Sequence, residues 1–301
     1  SASHNPYQDN GIKFFNNDGL KIDTKIEEEI SKQMGSKPQL VVPSELGRAS
    51  RINDVLGRYT EFAKISIPAS LALNGMKIVA DCANGAAYKI LPQILSELGA
   101  EVVSIAVNPD GFNINEECGS TKPEKAQKAV LETGADIGIC LDGDADRVLF
   151  IDEQGLLANG DQVLGLLARA WVNKNLLNKN TVVATIMSNL ALELYLEKIG
   201  VSLIRTQVGD KNVSKCMNEK GLNLGGEQSG HLILADYSNA GDGLITSLQV
   251  LSVLVESQKK ASEIFDLFKP FPQSLINIDA QKCNDFEKNE QIKNMLEEVQ
   301  N

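Results

Sequence analysis

The sequence predicts an α/β protein built of tandem domains, with mixed or parallel sheets covered by helices. Two features support this fold class: a strand–helix–glycine–strand unit that occurs twice, and a length of 301 residues, enough for about two or three domains. In the first unit, strand-like residues 77–81 precede a helical pattern at 86–98, the C-capping Gly99 and strand-like residues 101–105. Two strands joined through a helix run parallel.

The same unit occurs again later in the chain. Strand-like residues 181–186 precede a helical pattern at 189–199, Gly200 and strand-like residues 201–206. The repetition predicts a second sheet with its own covering helices, and therefore a second domain of the same class.

Further patterns predict how these units are connected. Residues 24–34 predict a helix, 37–47 a loop and 244–255 a long buried helix. Residues 52–65 predict a helix that enters a new domain, because their apolar residues recur at helical spacing. That predicted apolar face consists of Ile52, Val55, Leu56, Tyr59, Phe62 and Ala63.

The predicted domain boundaries divide the chain into the segments 1–52, 53–153, 154–268 and 269–301. The string KPFP at 269–272 marks the last boundary, because proline interrupts regular structure. A strand-like SLINI and a polar, helix-prone tail follow it, too short for a full domain. The chain begins at Ser1 without Met and inside a motif, so we expect its first segment to be part of a longer protein.

Charge and cysteine usage exclude several classes of function. The formal net charge of −11 argues against nucleic acid and against anionic membranes as partners, since both require basic patches. No apolar run approaches the ~20 residues that a membrane span needs. The scattered cysteines form no CxxC pair, which argues against a thiolate zinc site and favours a reducing, cytoplasmic location. They are Cys82, Cys118, Cys140, Cys216 and Cys283.

Three alternating aspartates in the string DGDADRV form the first candidate site. Asp142, Asp144 and Asp146 can converge on a hard dication such as Mg²⁺ if they lie on a tight loop between the apolar runs 136–141 and 147–152. An EF-hand loop is the first alternative, but it requires glycine at the position that Arg147 occupies. A solvated acidic loop is the second. The adjacent arginine argues against that alternative, because a cation beside a metal can hold a phosphate oxygen.

The N-terminal string SASHNP offers a hydroxyl nucleophile. Asn5-Pro6 disfavours a helix, so Ser3 is expected on a loop where it can face a ligand. A hydroxyl needs a base or a metal for activation, and His4 is adjacent in sequence without being the base on that ground alone. A turn with a capping serine is the alternative.

The string GGEQSGH at 225–231 offers polar groups that can hold a sugar. Glu227, Ser229 and His231 are expected on a loop after the strand-like LNL, where a carboxylate and a hydroxyl could bind vicinal sugar hydroxyls. A glycine-rich turn without a ligand is the alternative.

Three further polar residues have two interpretations each. Asp210 in VGDKNV and Asp242 in NAGDG are candidate helix N-caps. Lys13 in DNGIKFF could bind phosphate or could be a solvated lysine.

The order and spacing of these motifs resemble the α-D-phosphohexomutase superfamily over essentially the whole chain. SASHNP with DNGIKFF resembles its phosphoserine loop, DGDADRV its metal loop and GGEQSGH its sugar-binding loop. The glutamine of GGEQSGH, the VGD at 208–210 and KPFPQSLINI at 269–278 are most similar to the branch that acts on glucosamine phosphates.

The resemblance implies tandem phosphohexomutase-type domains and a role for each candidate residue. Ser3 would carry the phosphoryl group and bind one Mg²⁺ ion together with Asp142, Asp144 and Asp146. The residues implied at the phosphoryl group are His4, Lys13 and Arg147. The residues implied at the substrate are Glu227, Ser229, His231, Gly209 and Asp210.

The implied reaction interconverts glucosamine 6-phosphate and glucosamine 1-phosphate through a bisphosphate, toward UDP-N-acetylglucosamine for the cell wall. The resemblance also implies glucosamine 1,6-bisphosphate as activator, a phosphosugar as partner and a homodimer as one possible assembly. Three alternatives stay open: a phosphomannomutase or phosphoglucomutase of the same superfamily, a haloacid-dehalogenase-type phosphatase with Asp142 as nucleophile and Asp144 as acid/base, and a non-catalytic phosphosugar-binding module.

The chain departs from the family pattern in two respects. The family has four domains, so the resemblance implies that most of the first domain and most of the last, with its phosphate-clamping loop, lie outside this sequence. Lys211 and Asn212 also stand where the glucosamine branch usually has arginine and tyrosine, which bears on substrate positioning but not on the reaction class.

Overall fold

A computed structural model describes residues 2–273 of the chain, apart from Asp18, Leu20, Gln39 and 51–53. The predicted strand SLINI and the helix-prone tail lie outside these described residues, as does Ile52. Residues 1–271 belong to one compact unit.

Helices and strands alternate along most of the described chain. The helices are α1 (Thr24–Met34), α2 (Val55–Ile65), α3 (Ile90–Glu97), α4 (Glu124–Thr133), α5 (Gly160–Asn173), α6 (Leu190–Lys198), α7 (Asp210–Lys220), α8 (Gly243–Ser257) and α9 (Ala261–Phe265). The strands are β1 (Lys77–Asp81), β2 (Glu101–Ile105), β3 (Ile137–Leu141), β4 (Val148–Asp152), β5 (Leu157–Ala158), β6 (Thr181–Thr185), β7 (Ser202–Thr206), β8 (Leu224–Gly226) and β9 (Leu232–Leu234).

The strands form two mixed sheets, which confirms the predicted fold class. The first sheet has the order β2-β1-β3-β4-β5, and the second has the order β7-β6-β8-β9. In both sheets the first three strands run parallel and an antiparallel strand follows. Helices supply the connections between the parallel strands, so the repeated sequence unit corresponds to a repeated sheet topology.

The predicted helices of the two units are confirmed, with one changed boundary. α6 begins after its cap Asn189, and Gly200 follows it in the left-handed region at φ 74°. α3 begins at Ile90 rather than at residue 86. The turn before it contacts the aspartate loop, where the Ala86 N–H donates to the Gly143 carbonyl at 2.8 Å.

The structure differs from the predicted apolar face of the helix at 52–65. α2 begins at Val55, and Val55, Leu56 and Phe62 are exposed, whereas Ala63 and the unpredicted Thr60 are buried. The helix packs against α3 and α8 along a narrow stripe. Helical periodicity marks the apolar positions, but only neighbouring elements decide how many of them are covered.

The predictions for residues 24–34 and 244–255 are confirmed by α1 and α8. Asp242 caps α8, as predicted, by accepting hydrogen bonds from the N–H groups of Leu244 and Ile245. Residues 37–47 contain a short 3₁₀ turn, Pro43–Glu45, within otherwise irregular backbone. Within the described residues, no helix combines the length and apolar composition that crossing a lipid bilayer requires.

One continuous hydrophobic core connects the two sheets. α5 and α8 contribute buried side chains to it, together with strands of both sheets. Representative members are Leu141, Phe150, Leu164, Leu167, Val182, Leu248 and Leu251. The loops at the ends of both sets of strands are therefore held on a common support.

Replacing Phe150 by alanine should lower the free energy of unfolding by about 3 to 5 kcal/mol. The Phe150 side chain is fully buried on β4, and the centroids of the Phe150 and Phe265 rings are 5.7 Å apart. Truncation therefore leaves a cavity in the shared core. Urea unfolding measures the change. Phe271→Ala is the matched control, because Phe271 is exposed and should cost about 1 kcal/mol or less. Equal losses for both variants would contradict the core assignment.

Candidate active site

The predicted site residues gather where the parallel strands of both sheets end. Asp142 follows β3 directly, at the carboxyl edge of the first sheet. Gly209 follows β7 and Glu227 follows β8, at the carboxyl edge of the second sheet. Carboxyl edges of parallel strands are the usual ligand-binding position in open α/β sheets.

The three aspartates of the DGDADRV string converge in space. Asp142, Asp144 and Asp146 each offer a carboxylate oxygen, and these oxygens all lie within 4.8 Å of one another. Asp142 Oδ2, Asp144 Oδ1 and Asp146 Oδ1 are buried, and none of them has a hydrogen-bond partner in the described part of the chain. Buried carboxylate oxygens without donors are costly, and a cation satisfies several at once. The donor set therefore fits a hard divalent metal.

The short spacers of this loop permit a close backbone approach. A Cβ atom at Gly143 would lie 2.4 Å from the carbonyl oxygen of Ser3, so only glycine fits there. Ala145 adopts a left-handed φ of 60°, and Asp142 Oδ1 accepts a hydrogen bond of 3.1 Å from the Arg147 N–H. The loop is thus closed on itself and against residues 2–13, the serine segment.

Lys13 partly neutralises the cluster. Its Nζ atom lies 2.5 Å from Asp144 Oδ2 and 2.8 Å from Asp146 Oδ2. Burial alone would lower the pKa of Lys13, but these two carboxylates raise it well above its usual value. The candidate phosphate-binding lysine therefore contacts the acidic loop directly and is not merely solvated.

The aspartates differ in their electrostatics. Burial, reinforced by Asp146 and Asp144, raises the pKa of Asp142 to about 7. Burial also acts to raise the pKa of Asp146, but His231 and Lys13 outweigh it and lower that pKa. Without a metal, Asp142 therefore binds a proton more readily than Asp146 does.

The serine segment is anchored to the aspartate loop through its backbone. The Gly143 N–H donates a 3.0 Å hydrogen bond to the carbonyl oxygen of Ser3, whose φ is 51°. The Ser3 Oγ atom lies 3.2 Å from Nδ1 of His4, so the sequence neighbour that could have pointed away lies within hydrogen-bond distance. Burial, together with Arg147, lowers the pKa of His4 and favours its neutral form.

The GGEQSGH string forms the turn of a hairpin. Gly225 and Gly226 belong to strand β8 and not to the loop, which corrects the predicted position of the strand. Glu227 Oε1 accepts a 2.9 Å hydrogen bond from the Gly209 N–H. The Ser229 hydroxyl donates a 3.5 Å hydrogen bond to Glu227 Oε2 and is exposed. Three of the predicted substrate residues thus meet at one place.

His231 is buried between two carboxylates. It is 4% exposed, with Nδ1 3.6 Å from Asp146 Oδ1 and Nε2 3.7 Å from Asp210 Oδ2. A Cβ atom at Gly241 would lie 2.3 Å from the imidazole, so this glycine leaves room for the ring. The burial favours an indirect role for His231, through the two aspartates, over the predicted direct contact with substrate.

Asp210 is the first residue of α7 and not its cap, which corrects one of the two predicted interpretations. The cap position is Gly209, at a φ of 118°. The Asp210 carboxylate instead forms an ion pair with Lys21. Burial would raise the pKa of Asp210, but Lys21 and His231 lower it. The sequence offered no signal for Lys21, because no motif singles it out.

Arg147 connects the aspartate loop with the hairpin. Its backbone forms an isolated antiparallel bridge with His231, and the next residue, Val148, donates a 3.0 Å hydrogen bond to the Gly230 carbonyl. The Arg147 Nε atom is buried with no hydrogen-bond partner among the described residues. A buried guanidinium N–H without a partner can donate a hydrogen bond to an anionic oxygen of a ligand. Sequence analysis also missed Asn115, whose amide contacts the Ser3 carbonyl at 2.7 Å.

Models of one protein family match most of the chain. They are described as phosphoglucomutase/phosphomannomutase alpha/beta/alpha domain I at residues 1–40, domain II at 58–155 and domain III at 159–271.

Curated relatives are named phosphoglucosamine mutase. The relative from Zymomonas mobilis is 53% identical over 278 residues, which are 92% of this chain and 62% of the relative. The relative from Gluconacetobacter diazotrophicus is 55% identical over 280 residues, again 92% of this chain and 62% of the relative. The chain therefore spans somewhat less than two thirds of the length of these relatives.

Solved structures share the fold. A phosphoglucomutase/phosphomannomutase family protein from Burkholderia thailandensis has a TM-score of 0.68 and 23% identity, covering 84% of this chain and 54% of that chain. An Aspergillus fumigatus N-acetylphosphoglucosamine mutase, solved with GlcNAc-6P and magnesium, has a TM-score of 0.60 and 20% identity, covering 75% of this chain and 56% of that chain.

Replacing Gly160 by alanine should displace the loop at 227–230 and cost about 1 to 3 kcal/mol of stability. The added Cβ would lie 2.0 Å from the Glu227 carbonyl oxygen, and the Gly160 N–H now donates to the Gln228 carbonyl at 3.0 Å. Urea unfolding measures the cost. The control is Gly57→Ala in α2, where a Cβ meets nothing within 4 Å and alanine should be neutral or stabilising. Parent-like stability of the Gly160 variant would refute the close packing.

Proposed function

Because the chain belongs to the phosphoglucomutase/phosphomannomutase family, we propose that its protein interconverts glucosamine 6-phosphate and glucosamine 1-phosphate. The observation that carries the proposal is the hydrogen bond from the Gly143 N–H to the Ser3 carbonyl, because it holds a serine beside a three-carboxylate loop. Relatives at 52% to 55% identity that are named phosphoglucosamine mutase support glucosamine over mannose or glucose.

Asp142, Asp144 and Asp146 would hold one Mg²⁺ ion through their clustered carboxylate oxygens, together with a phosphate on Ser3. A bound dication offsets the repulsion between carboxylates and phosphate and draws charge from the transferring group. Lys13 would stabilise the phosphate oxygens from beside the same carboxylates, 2.5 Å from Asp144. The guanidinium of Arg147 would donate a hydrogen bond to a second phosphate oxygen.

Phosphoryl transfer would proceed in two balanced steps. In the first, the P–O bond at Ser3 breaks, a P–O bond to the free hydroxyl of the sugar phosphate forms, and the proton of that hydroxyl is released as the serine is reprotonated. In the second, the bisphosphate has turned around and Ser3 takes back the other phosphoryl group. The 3.2 Å separation supports His4 as the group that exchanges the serine proton.

The sugar would lie against the hairpin turn. Glu227 and the exposed hydroxyl of Ser229 are adjacent acceptor and donor groups for sugar hydroxyls. Gly209 would fix the Glu227 carboxylate through its N–H, and Asp210 would border the same position. His231 would act through Asp146 and Asp210 rather than on the sugar.

The remaining features of the proposal concern the whole protein. We propose the domain segments 1–52, 53–153, 154–268 and 269–301, activation by glucosamine 1,6-bisphosphate, a cytoplasmic location and a homodimer. The family models matched at residues 1–40, 58–155 and 159–271 support the domain segments, and the absence of CxxC pairs in the sequence supports a reducing compartment.

Incubating the protein with Mg²⁺ and glucosamine 1,6-bisphosphate should place acid-stable phosphate on Ser3. Phosphopeptide mapping by mass spectrometry measures it. Ser3→Ala should abolish the signal, whereas the control Ser36→Ala, at an exposed serine, should retain it. Acid-labile phosphate on Asp142 would instead indicate the phosphatase alternative. Comparing glucosamine, mannose and glucose phosphates as acceptors tests the proposed sugar preference.

Replacing Asp142 by asparagine should stabilise the metal-free protein at pH 8 by about 1 to 3 kcal/mol and abolish stabilisation by Mg²⁺. The pKa of Asp142 is raised from 3.8 to about 7 by burial and its neighbours. The fold thus favours the protonated carboxyl, and the stability that this protonated form contributes is lost as pH rises from about 4 to about 7. Asparagine does not ionise, so the variant avoids this loss of stability at high pH. It also lacks one of the carboxylate ligands for the metal.

Thermal unfolding with and without Mg²⁺, from pH 5 to 8, measures both effects. The control is Asp152→Asn, at a buried aspartate that accepts backbone hydrogen bonds from Gln154 and Leu156 away from the cluster. That variant should keep the response to Mg²⁺. A Mg²⁺ response that survives in Asp142→Asn would count against the metal site.

A further inference from the structure

The loop between β2 and α4 grips the serine segment at two points. Both hydrogen-bond contacts come from one side-chain amide, since Asn115 Nδ2 donates to the Ser3 carbonyl at 2.7 Å and to the Asn5 carbonyl at 2.8 Å. Earlier in the same loop, Phe112 packs edge-to-face on Tyr7 with ring centroids 5.1 Å apart. The two hydrogen bonds lie on either side of His4 and fix the backbone of the segment that bears the hydroxyl.

Asn115 is itself fixed by the first sheet. Its N–H donates a 2.9 Å hydrogen bond to the carbonyl of Ala83, in the loop that follows β1. The residue is 8% exposed and has a φ of 58°, a left-handed conformation that asparagine tolerates better than most residues. The direction of its amide is therefore set by the domain that carries the aspartates.

The Ser3 carbonyl closes a ring of hydrogen bonds around this position. It accepts from Asn115 and from the Gly143 N–H at 3.0 Å, and the Gly143 carbonyl accepts from the Ala86 N–H at 2.8 Å. These hydrogen bonds link four segments directly: the aspartate loop, the loop after β1, the Asn115 loop and the serine segment. A shift of Asn115 would move Ser3 relative to Asp142.

We propose that Asn115 is a positioning residue that fixes the Ser3 hydroxyl relative to the three-aspartate cluster. The inference rests on the proposed phosphoryl transfer at Ser3. Transfer requires the donor oxygen, the phosphorus and the acceptor oxygen to be nearly in line, and small misplacements are costly. Ser3 has a left-handed φ of 51°, which a non-glycine residue keeps only when its surroundings hold it there.

Within the described part of the chain, only the nitrogen of the Asn115 side-chain amide forms hydrogen bonds, which makes the inference testable by substitution. Both observed side-chain bonds use the amide nitrogen, whereas Oδ1 is buried with no partner among the described residues. Aspartate has the same shape and tolerates the same backbone conformation. In Asn115→Asp, a carboxylate oxygen would face the carbonyl oxygens of Ser3 and Asn5, so both hydrogen bonds become repulsive contacts.

Hydrogen exchange of the intact chain tests whether Asn115 restrains the serine segment, and it requires no catalytic turnover. In Asn115→Asp, amide exchange in the peptide 2–9 should accelerate about tenfold or more, while exchange in β1 and β3 stays at the parent rate. Asn175→Asp is the matched control, because Asn175 also has a left-handed φ, 54°, but is exposed and lies outside the site. Acceleration spread through β1 and β3 would mean a merely structural role and would overturn the proposal.

Phosphorylation of Ser3 by glucosamine 1,6-bisphosphate with Mg²⁺ tests the consequence. Asn115→Asp should slow the rate about 10- to 100-fold, with an unchanged Mg²⁺-induced shift in melting temperature, because Asn115 does not contact the aspartate side chains through any observed hydrogen bond. Parent-like exchange and parent-like phosphorylation in this variant would overturn the positioning role. If the parent itself acquires no phosphate, the proposed function fails, and the exchange comparison still decides whether Asn115 holds the segment.

Discussion

The mutual repulsion of three clustered carboxylates, one buried and two half-buried, is the constraint on which the site depends. Asp142, Asp144 and Asp146 offer oxygens within 4.8 Å of one another, a charge density that a protein interior does not tolerate without compensation. The compensation comes from separate parts of the chain, with Lys13 from the serine segment and His231 from the hairpin of the second sheet. The cluster therefore draws the parts of the site together as well as offering ligands to a cation.

Close backbone contacts allow the charged groups to meet. At Gly143, Gly160 and Gly230, an added Cβ would lie 2.4, 2.0 and 2.3 Å from a carbonyl oxygen of another segment. Side chains at these positions would separate the loops by more than the contacts between charges permit. These glycines therefore act as spacers that let separate segments of the chain meet in one site.

The two sheets have the same topology but carry different polar groups at their carboxyl edges. Both have parallel strands that end at a carboxyl edge, and one edge carries acidic groups while the other carries the hydrogen-bonding turn with Glu227 and Ser229. The acidic groups and the hydrogen-bonding turn are therefore carried by separate sheets. The hydrogen bond from the Val148 N–H to the Gly230 carbonyl fixes the distance between these two edges.

The sequence by itself determined the α/β class, the two repeated units, the cap Asp242 and the convergence of three aspartates on one loop. These features depend on local periodicity, capping chemistry and short spacing, all of which are written along the chain. Only the tertiary structure decided the start of α3, the exposure of Val55 and Phe62 on α2, the burial of His231 and the contact of Asn115 with Ser3. Each of these depends on a partner far away in sequence, and a single sequence does not show which distant groups will meet.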